Sequence, residues 1–380
     1  MPEEKRGRAL QQRHRPAGRP AAPVSPLRHQ RREVAVDPVT HVAAGLLISQ
    51  LVPTPSRFWG AMAGIAFGLM PDVDYFLLWL DRLTFIRHHR GFTHSLVAIP
   101  LLALFGAAVN AAIGGKDWFR PFFIMGLAVL ASHLVLDLAT SYGTQILSPF
   151  TRRKFTLDWL FIIDPYLTGI LLVGAAAALA SPGWGRKAGA VCLAGATAYF
   201  LVCGLYHRQA QSVAQEVFKD QNPQERIAAL PQPFSCRRWQ LLAAGPDEVR
   251  QTFVELPFAS LMANSLKTKF DLVPVPPGPG CPAPPVGYRP PQNLQVQVWA
   301  AAAASPPYSP EARRILDIYL DFARFPLLYQ VRPRGPGQFQ EWLDLRFSVP
   351  GREFPFVLQL SLDAQGGLEQ WVIGRCRGEQ

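Results

Sequence analysis

Between residues 38 and 206 this chain is a succession of apolar runs, and its histidines and carboxylates stand mostly at or near the ends of those runs. The runs are His41–Val52, Phe58–Met70, Leu96–Ile113, Phe119–Thr140, Leu160–Ala180 and Arg186–Tyr206. A helix needs ~20 apolar residues to cross a bilayer, and its backbone groups are satisfied internally there. The last four runs approach that length. The first two fall short. Joined by Pro53-Thr54-Pro55, they read as a tight hairpin buried against the others. Fusing Phe58–Leu80 into one span would instead place Asp72 and Asp74 in lipid beside a helix-breaking proline, which is expensive for ionised carboxylates.

Residues 1–36 and 207–380 read as soluble. The expected fold is therefore mostly α: a polytopic membrane helical bundle with a small C-terminal α+β soluble domain. The divisions are a disordered basic arm (1–36), the membrane-embedded helical domain (37–207), a helical linker (208–230) and the soluble domain (231–380). The arm holds nine Lys/Arg against three Glu, a large part of the net charge of +11. Next to membrane segments such an arm reads as a cytoplasmic retention signal, not as a nucleic-acid contact. Asp37-Pro38 has the form of a helix cap followed by proline at the first helical position. Five cysteines without a CxxC pair argue against a disulfide framework. In the tail, Gln209–Lys219 continues the last helix. Val273 to Pro291 resembles a linker, and Ser309–Phe325 carries the stripe of an amphipathic helix. Strand-like runs follow at Trp342–Phe347, Phe354–Leu362 and Trp371–Ile373.

If each apolar segment crosses or doubles back, His41, Asp72, Asp74, His94, His133 and Asp137 all fall on one side. His133 and Asp137, four apart, share a helix face. Asp72 and Asp74 flank a single residue after Pro71. His89 and His94 flank Gly91, with Thr93 a candidate helix cap. The six residues are candidate ligands of a divalent metal, Zn²⁺ first, with Mn²⁺ or Fe as alternatives, since mixed His/Asp sets suit these better than Ca²⁺ or Mg²⁺. The blander reading of His133 and Asp137 is a plain hydrogen bond on one helix face. Arg90, His89 and Asp158 are candidate catalytic groups, with Arg90 placed to neutralise charge on a phosphoester. Ten Lys/Arg lie on the site's side against five opposite, so the site and both termini are expected to face the cytoplasm.

The turn Pro71-Asp72-Val73-Asp74, the stretch His89-Arg90-Gly91-Phe92-Thr93-His94-Ser95, and His133-x3-Asp137 followed by Thr140-Ser141-Tyr142-Gly143-Thr144 resemble the YdjM/YbcI family. The likeness extends through Leu157-Asp158-Trp159 to Asp164-Pro165, and the tail strands are similar to the C-terminal domain of longer members. The resemblance implies a bacterial inner-membrane, metal-dependent hydrolase. Its ligand set is similar to that of helical zinc-dependent phospholipases C and nucleases, which implies a phosphoester or lipid-linked substrate attacked by a metal-activated water. Two other readings stand beside it: a membrane adaptor with a structural metal site and a cytoplasmic protein partner, and a proton- or ion-coupled transporter. The expected partners are the lipid bilayer and a small-molecule or lipid-linked substrate, without nucleic acid.

Overall fold

The structure, a computed structural model, describes residues 38–181, 183–219, 226–262, 266–275, 282, 287–302 and 307–375. The expected basic arm and the Asp37 cap lie outside these residues.

Six helices match the six apolar runs: α1 (Pro38–Leu51), α2 (Arg57–Leu69), α4 (Ala98–Gly114), α5 (Phe119–Ala139), α6 (Pro165–Ala180) and α7 (Trp184–Val217). Between α2 and α4 lie a 3-10 segment, Pro71–Trp79, the short α3 (Arg82–His88) and a 3-10 turn, Phe92–His94. Local chemistry fixes the boundaries. Ser56 caps α2 by accepting from the Trp59 amide at 3.3 Å. Pro71 cannot continue the α2 ladder and starts the 3-10 segment instead. Asp164 accepts the amides of Tyr166 and Leu167, and Pro165 follows at the first helical position.

Among the described residues two helices are long and apolar enough to cross a membrane, Lys116–Ala139 (counting the turn before α5) and Trp184–Val217. Two bent pairs, Arg57–Leu69 with Pro71–Trp79 (54°) and Arg82–His94 with Ala98–Gly114 (70°), bring the number to four if each counts as one span. This corrects the expectation of four unbroken spans. Leu160–Ala180 falls short because the Asp164-Pro165 cap starts α6 late and leaves 16 residues. The α4 helix has 17 and reaches spanning length only with the bent segment before it.

The α1 and α2 helices cross with backbones almost touching. A Cβ on Gly64 would lie 2.5 Å from the Gly45 carbonyl oxygen, and one on Gly45 would lie 2.3 Å from that of Gly64. One turn further along, a Cβ on Gly68 would lie 2.7 Å from the His41 carbonyl oxygen. Small residues permit such approach where lipid offers no hydrophobic drive between helices. Phe67, Met125, Val129 and Leu130 fill the layer between α2, α4 and α5, while Leu47, Leu167 and Leu171 knit α1 to α6 and α7.

The tail is richer in strand than its sequence suggests. One sheet orders β1 (Arg226–Gln232), β2 (Ser235–Ala244), β3 (Glu248–Glu255), β5 (Leu294–Ala300) and β4 (Phe270–Val275). It is antiparallel except for the parallel β4–β5 pair. The other sheet is an antiparallel meander of β6 (Pro326–Arg334), β7 (Gly337–Asp344), β8 (Val357–Leu362) and β9 (Leu368–Gly374). The C-terminal half of α7 covers one face of the first sheet through Tyr206, Val213 and Val217 against Trp239 and Leu241. The other face meets the second sheet through Leu230, Leu242 and Trp299 against Phe325, Leu343 and Val357. Each such fully buried side chain contributes ~1.5–3 kcal/mol. The helix α8 (Pro310–Phe322), capped by Ser309, ties the second sheet together where Tyr319 Oη donates to the carbonyls of Trp342 and Phe356. Two expectations fail here. The boundary expected at Pro231 falls inside β1, so Arg226–Leu230 is strand and not helical linker. Val273–Val275, expected in a linker, pairs with β5; residues 276–281 and 283–286 lie outside the described set.

Three arginines join the tail to the helical part. Arg82 of α3 donates to the Ile373 carbonyl at 2.7 Å, Arg324 pairs with Asp158 at 2.7 Å, and Arg346 donates to the carbonyls of Ser141 and Tyr142 at 3.1 and 2.8 Å.

Candidate metal centre

Five of the six expected ligands converge. His41 comes from α1, Asp72 from the 3-10 segment, His94 from the turn before α4, and His133 and Asp137 from the last two turns of α5. Their donor atoms form two overlapping triads, His41–Asp72–His133 and His94–His133–Asp137, within each of which the atoms lie no more than 4.8 Å apart. His94 Nε2 is 3.2 Å from His133 Nε2, 3.2 Å from Asp137 Oδ2 and 3.4 Å from Asp72 Oδ1. His133 Nε2 is 3.5 Å from Asp137 Oδ2 and 3.8 Å from Asp72 Oδ1. His41 Nε2 is 3.4 Å from Asp137 Oδ1, and its ring stacks on His133 at 3.7 Å.

The far side of each imidazole decides what the near side offers. His133 Nδ1 lies 2.8 Å from the Gly68 carbonyl oxygen. A carbonyl only accepts, so Nδ1 carries the proton and Nε2 presents a lone pair. His94 Nδ1 lies 2.9 Å from Thr93 Oγ1 and 3.4 Å from Asp74 Oδ2. Because Thr93 gives its hydroxyl proton to Asp74 at 3.3 Å, it accepts from His94 Nδ1, which leaves His94 Nε2 turned toward the cluster. The two Nε2 atoms thus face each other at 3.2 Å, flanked by two carboxylates. Asp137 Oδ2, Asp72 Oδ2 and His41 Nδ1 are buried without a hydrogen-bond partner. Orphaned acceptors at this density call for a cation. The spacing fits one: ~2.0–2.1 Å bonds in tetrahedral array put donor atoms roughly 3.3 Å apart.

The remaining expected residues stand around this cluster. Asp74, expected as a ligand, has both oxygens engaged elsewhere. Oδ1 faces His89 Nδ1 at 2.9 Å, and Oδ2 accepts the Arg90 amide at 2.9 Å and the Thr93 hydroxyl. Its place is behind His94, the carboxylate–histidine arrangement that orients a ligating imidazole. His89 also has both nitrogens engaged, by Asp74 and by Tyr75 Oη at 3.1 Å. Arg90 grips Asp137 at 2.8 Å and donates to Thr140 Oγ1 at 2.7 Å, while its Nε has no partner. Its backbone is left-handed (φ 56°), a costly conformation for a non-glycine residue that its Asp74 and Gln145 backbone bonds hold in place. Gly91 has no substitute here, as a Cβ would lie 2.5 Å from the His88 carbonyl oxygen. Asp158, expected among the catalytic groups, spends its carboxylate on Arg324 and is not among the converging residues. Thr93 does not cap α4; Ser95 Oγ accepts the Ala98 amide at 3.1 Å instead.

Three contributors escaped the sequence reading. Tyr75 and Tyr142 pack on His89, with ring centroids at 4.7 and 5.2 Å, and the Gly68 carbonyl sets the His133 tautomer. Tyr142 also lies under the Arg90 guanidinium, and burial pushes its phenol above the ordinary range against the pull of Arg90. Neighbouring Lys154, over the Tyr142 and Phe322 rings, is pushed down to about 7 by burial and then by Arg346. A narrow cleft, partly open to solvent, reaches the cluster along His41, Arg90 and Asp137.

A model of the YdjM inner membrane protein family matches residues 36–210, the stretch that contains every cluster residue. YbcI, an inner membrane protein of Escherichia coli (strain K12), is 34% identical over 140 residues, 33% of this chain and 73% of that protein. The inner membrane protein YdjM of the same organism is 37% identical over 103 residues, 24% of this chain and 50% of its own length. A Bacillus subtilis (strain 168) protein called YfhP is 29% identical over 140 residues, 35% of this chain and 43% of the relative. The chain therefore spans half or less of the length of YfhP and YdjM. No solved structure matches it.

Proposed function

We propose that this chain, which belongs to the YdjM inner membrane protein family, is a membrane-bound, metal-dependent hydrolase of a phosphoester or lipid-linked substrate, with its site at the cytoplasmic face. One observation carries the reading: His94 Nε2 and His133 Nε2 face each other at 3.2 Å beside Asp72 Oδ1 and beside Asp137 Oδ2, which is buried without a hydrogen-bond partner. His94, His133, Asp137 and Asp72 would hold the cation, with His41 completing the set. The donor chemistry favours Zn²⁺, with Mn²⁺ or Fe as alternatives. Such an ion, when bound, lowers the pKa of a water and polarises a phosphoryl oxygen.

The chain's own residues supply the rest. Asp74 and Gly68 fix two imidazoles with Nε2 forward. Arg90 holds Asp137 in place and keeps Nε free for a phosphoryl oxygen. Tyr75, Phe85 and Tyr142 wall the back of His89 and exclude water from it.

Metal analysis of detergent-purified protein, followed by hydrolysis of a phosphomonoester and phosphodiester panel with and without chelator, tests this. About one or two equivalents of metal and chelator-sensitive turnover, both lost in His94→Ala and Asp137→Ala, are expected. Metal retention without turnover across the panel would favour an adaptor with a structural metal site. No metal at all would remove both readings.

A further inference from the structure

The 3-10 segment Pro71–Trp79 carries Asp72, Asp74 and Tyr75 to the site, and it has a second face that the site does not use. A 3-10 helix has three residues per turn, so every third side chain falls on one row. Here the rows differ. Asp74 is buried, and Asp72 and Tyr75 are half-buried. Val73, Phe76 and Trp79 form the outer row, exposed by 49%, 56% and 75%. The Phe76 and Trp79 rings meet edge to face, with centroids 4.8 Å apart. The row does not stand alone. It prolongs, past a 54° bend, the exposed stripe of α2 that runs through Phe58, Met62 and Leu69. From Phe58 to Leu80 every exposed residue is apolar, and Asp81, the cap of α3, is the first exposed polar one. A tryptophan at the end of an apolar stripe, just before the first charge, has the placement of a residue at the polar boundary of a bilayer.

We propose that bilayer lipid covers Val73, Phe76 and Trp79, so that the segment lies along the membrane boundary with lipid on one side and the His/Asp cluster on the other. Contiguous exposed apolar side chains mark an interaction surface. This one belongs to a chain of an inner membrane family and continues a helix pair apolar enough to cross, so the bilayer is its occupant. The winding of the segment answers the cost of carboxylates at this depth. Asp72 and Asp74 stand on the rows turned to His94, His89 and the Arg90 amide. On an α-helix, at about 100° per residue, Asp72 would fall between Phe76 and Trp79 and face the lipid. Three residues per turn keep it off that face. The inference concerns lipid contact and stands whether or not the cluster binds a metal.

The test uses the full chain in nanodiscs of phosphatidylcholine and phosphatidylglycerol. The photoreactive residue benzoylphenylalanine replaces Phe76, Trp79 or Tyr75 in three separate variants, and adducts are weighed by mass spectrometry after irradiation. Phe76 and Trp79 are exposed rings, so neither replacement empties the core, and thermal unfolding checks this. Phospholipid adducts are expected from positions 76 and 79 and not from position 75, whose side chain packs on His89 and Phe85. If either outer position yields no lipid adduct, the inference is overturned. Adducts to a second copy of the chain in place of lipid overturn it too and make the row a face between copies. Lipid adducts as abundant from position 75 as from position 76 overturn the one-sided arrangement. Hydroxyl-radical labelling of the unmodified chain repeats the test without substitution. Trp79, three-quarters exposed in the structure, is expected to stay unlabelled in nanodiscs, and ready labelling there overturns the inference.

Discussion

Two buried charge clusters lie one loop apart, and they are built to opposite rules. In the tail, Asp344 and Arg346 form a closed account of hydrogen bonds. The carboxylate accepts the amides of Arg324, Phe325 and Arg346 and pairs with the guanidinium at 2.8 Å. Arg346 donates onward to the carbonyls of Phe322, Ser141 and Tyr142. No atom of either residue is among the buried groups without a partner. In the helical part, Arg90 and Asp137 make an equally close pair, yet Arg90 Nε and Asp137 Oδ2 are left without partners. A buried pair that is fully bonded is structure; one that leaves a donor and an acceptor unpartnered awaits a ligand.

The contrast breaks first, if it breaks, at Arg346. Arg346→Ala leaves Asp344 buried and uncompensated, and is expected to cost about 3–5 kcal/mol. Denaturant unfolding should report the same loss with and without zinc, because nothing in that pair faces the metal cluster. A loss that zinc repairs would mean the two clusters are one unit. A smaller effect sharpens the other side. Asp74→Asn keeps the shape behind His94 but removes the charge that orients it. Zinc affinity, measured by chelator competition, should fall by about 10–100-fold with stoichiometry unchanged. Unchanged affinity would move Asp74 out of the site. A third test, read against pH, lies between the clusters, at Lys154. Its ammonium is pushed from 10.5 down to about 7, so above pH 7 the unfolded chain binds the proton that the folded chain has lost. Stability therefore rises with pH between about 7 and 10 through this group. Lys154→Met should flatten that rise in unfolding curves recorded across the range.

What the sequence disclosed follows from how each region is solvated. Helices in apolar surroundings are written as uninterrupted runs, so all six are visible, although α6 starts five residues late and α7 continues past its apolar run to Val217. The ends carried the polar groups, and that is why five cluster residues could be named from alternation alone. The strands were hidden for the opposite reason. The last five residues of β1 are all buried, because α7 and the second sheet cover its two faces. Such a strand has no alternation to read. Asp74 and Asp72 were indistinguishable as letters; only the positions of His89, Thr93 and the Arg90 amide assign one to the back of His94 and the other to the cluster.

The glycine crossing of α1 and α2 reaches further than packing. At Gly68 the chain meets the His41 carbonyl on one side and gives its own carbonyl to His133 on the other. A methyl group there would part α1 from α2 and loosen the one acceptor that fixes the His133 tautomer. Freed of it, that imidazole could turn either nitrogen, or a proton, toward the cluster. Helix spacing at this point therefore governs proton inventory and basicity: the number of lone pairs the protein can offer a cation is set by how closely two backbones are allowed to pass.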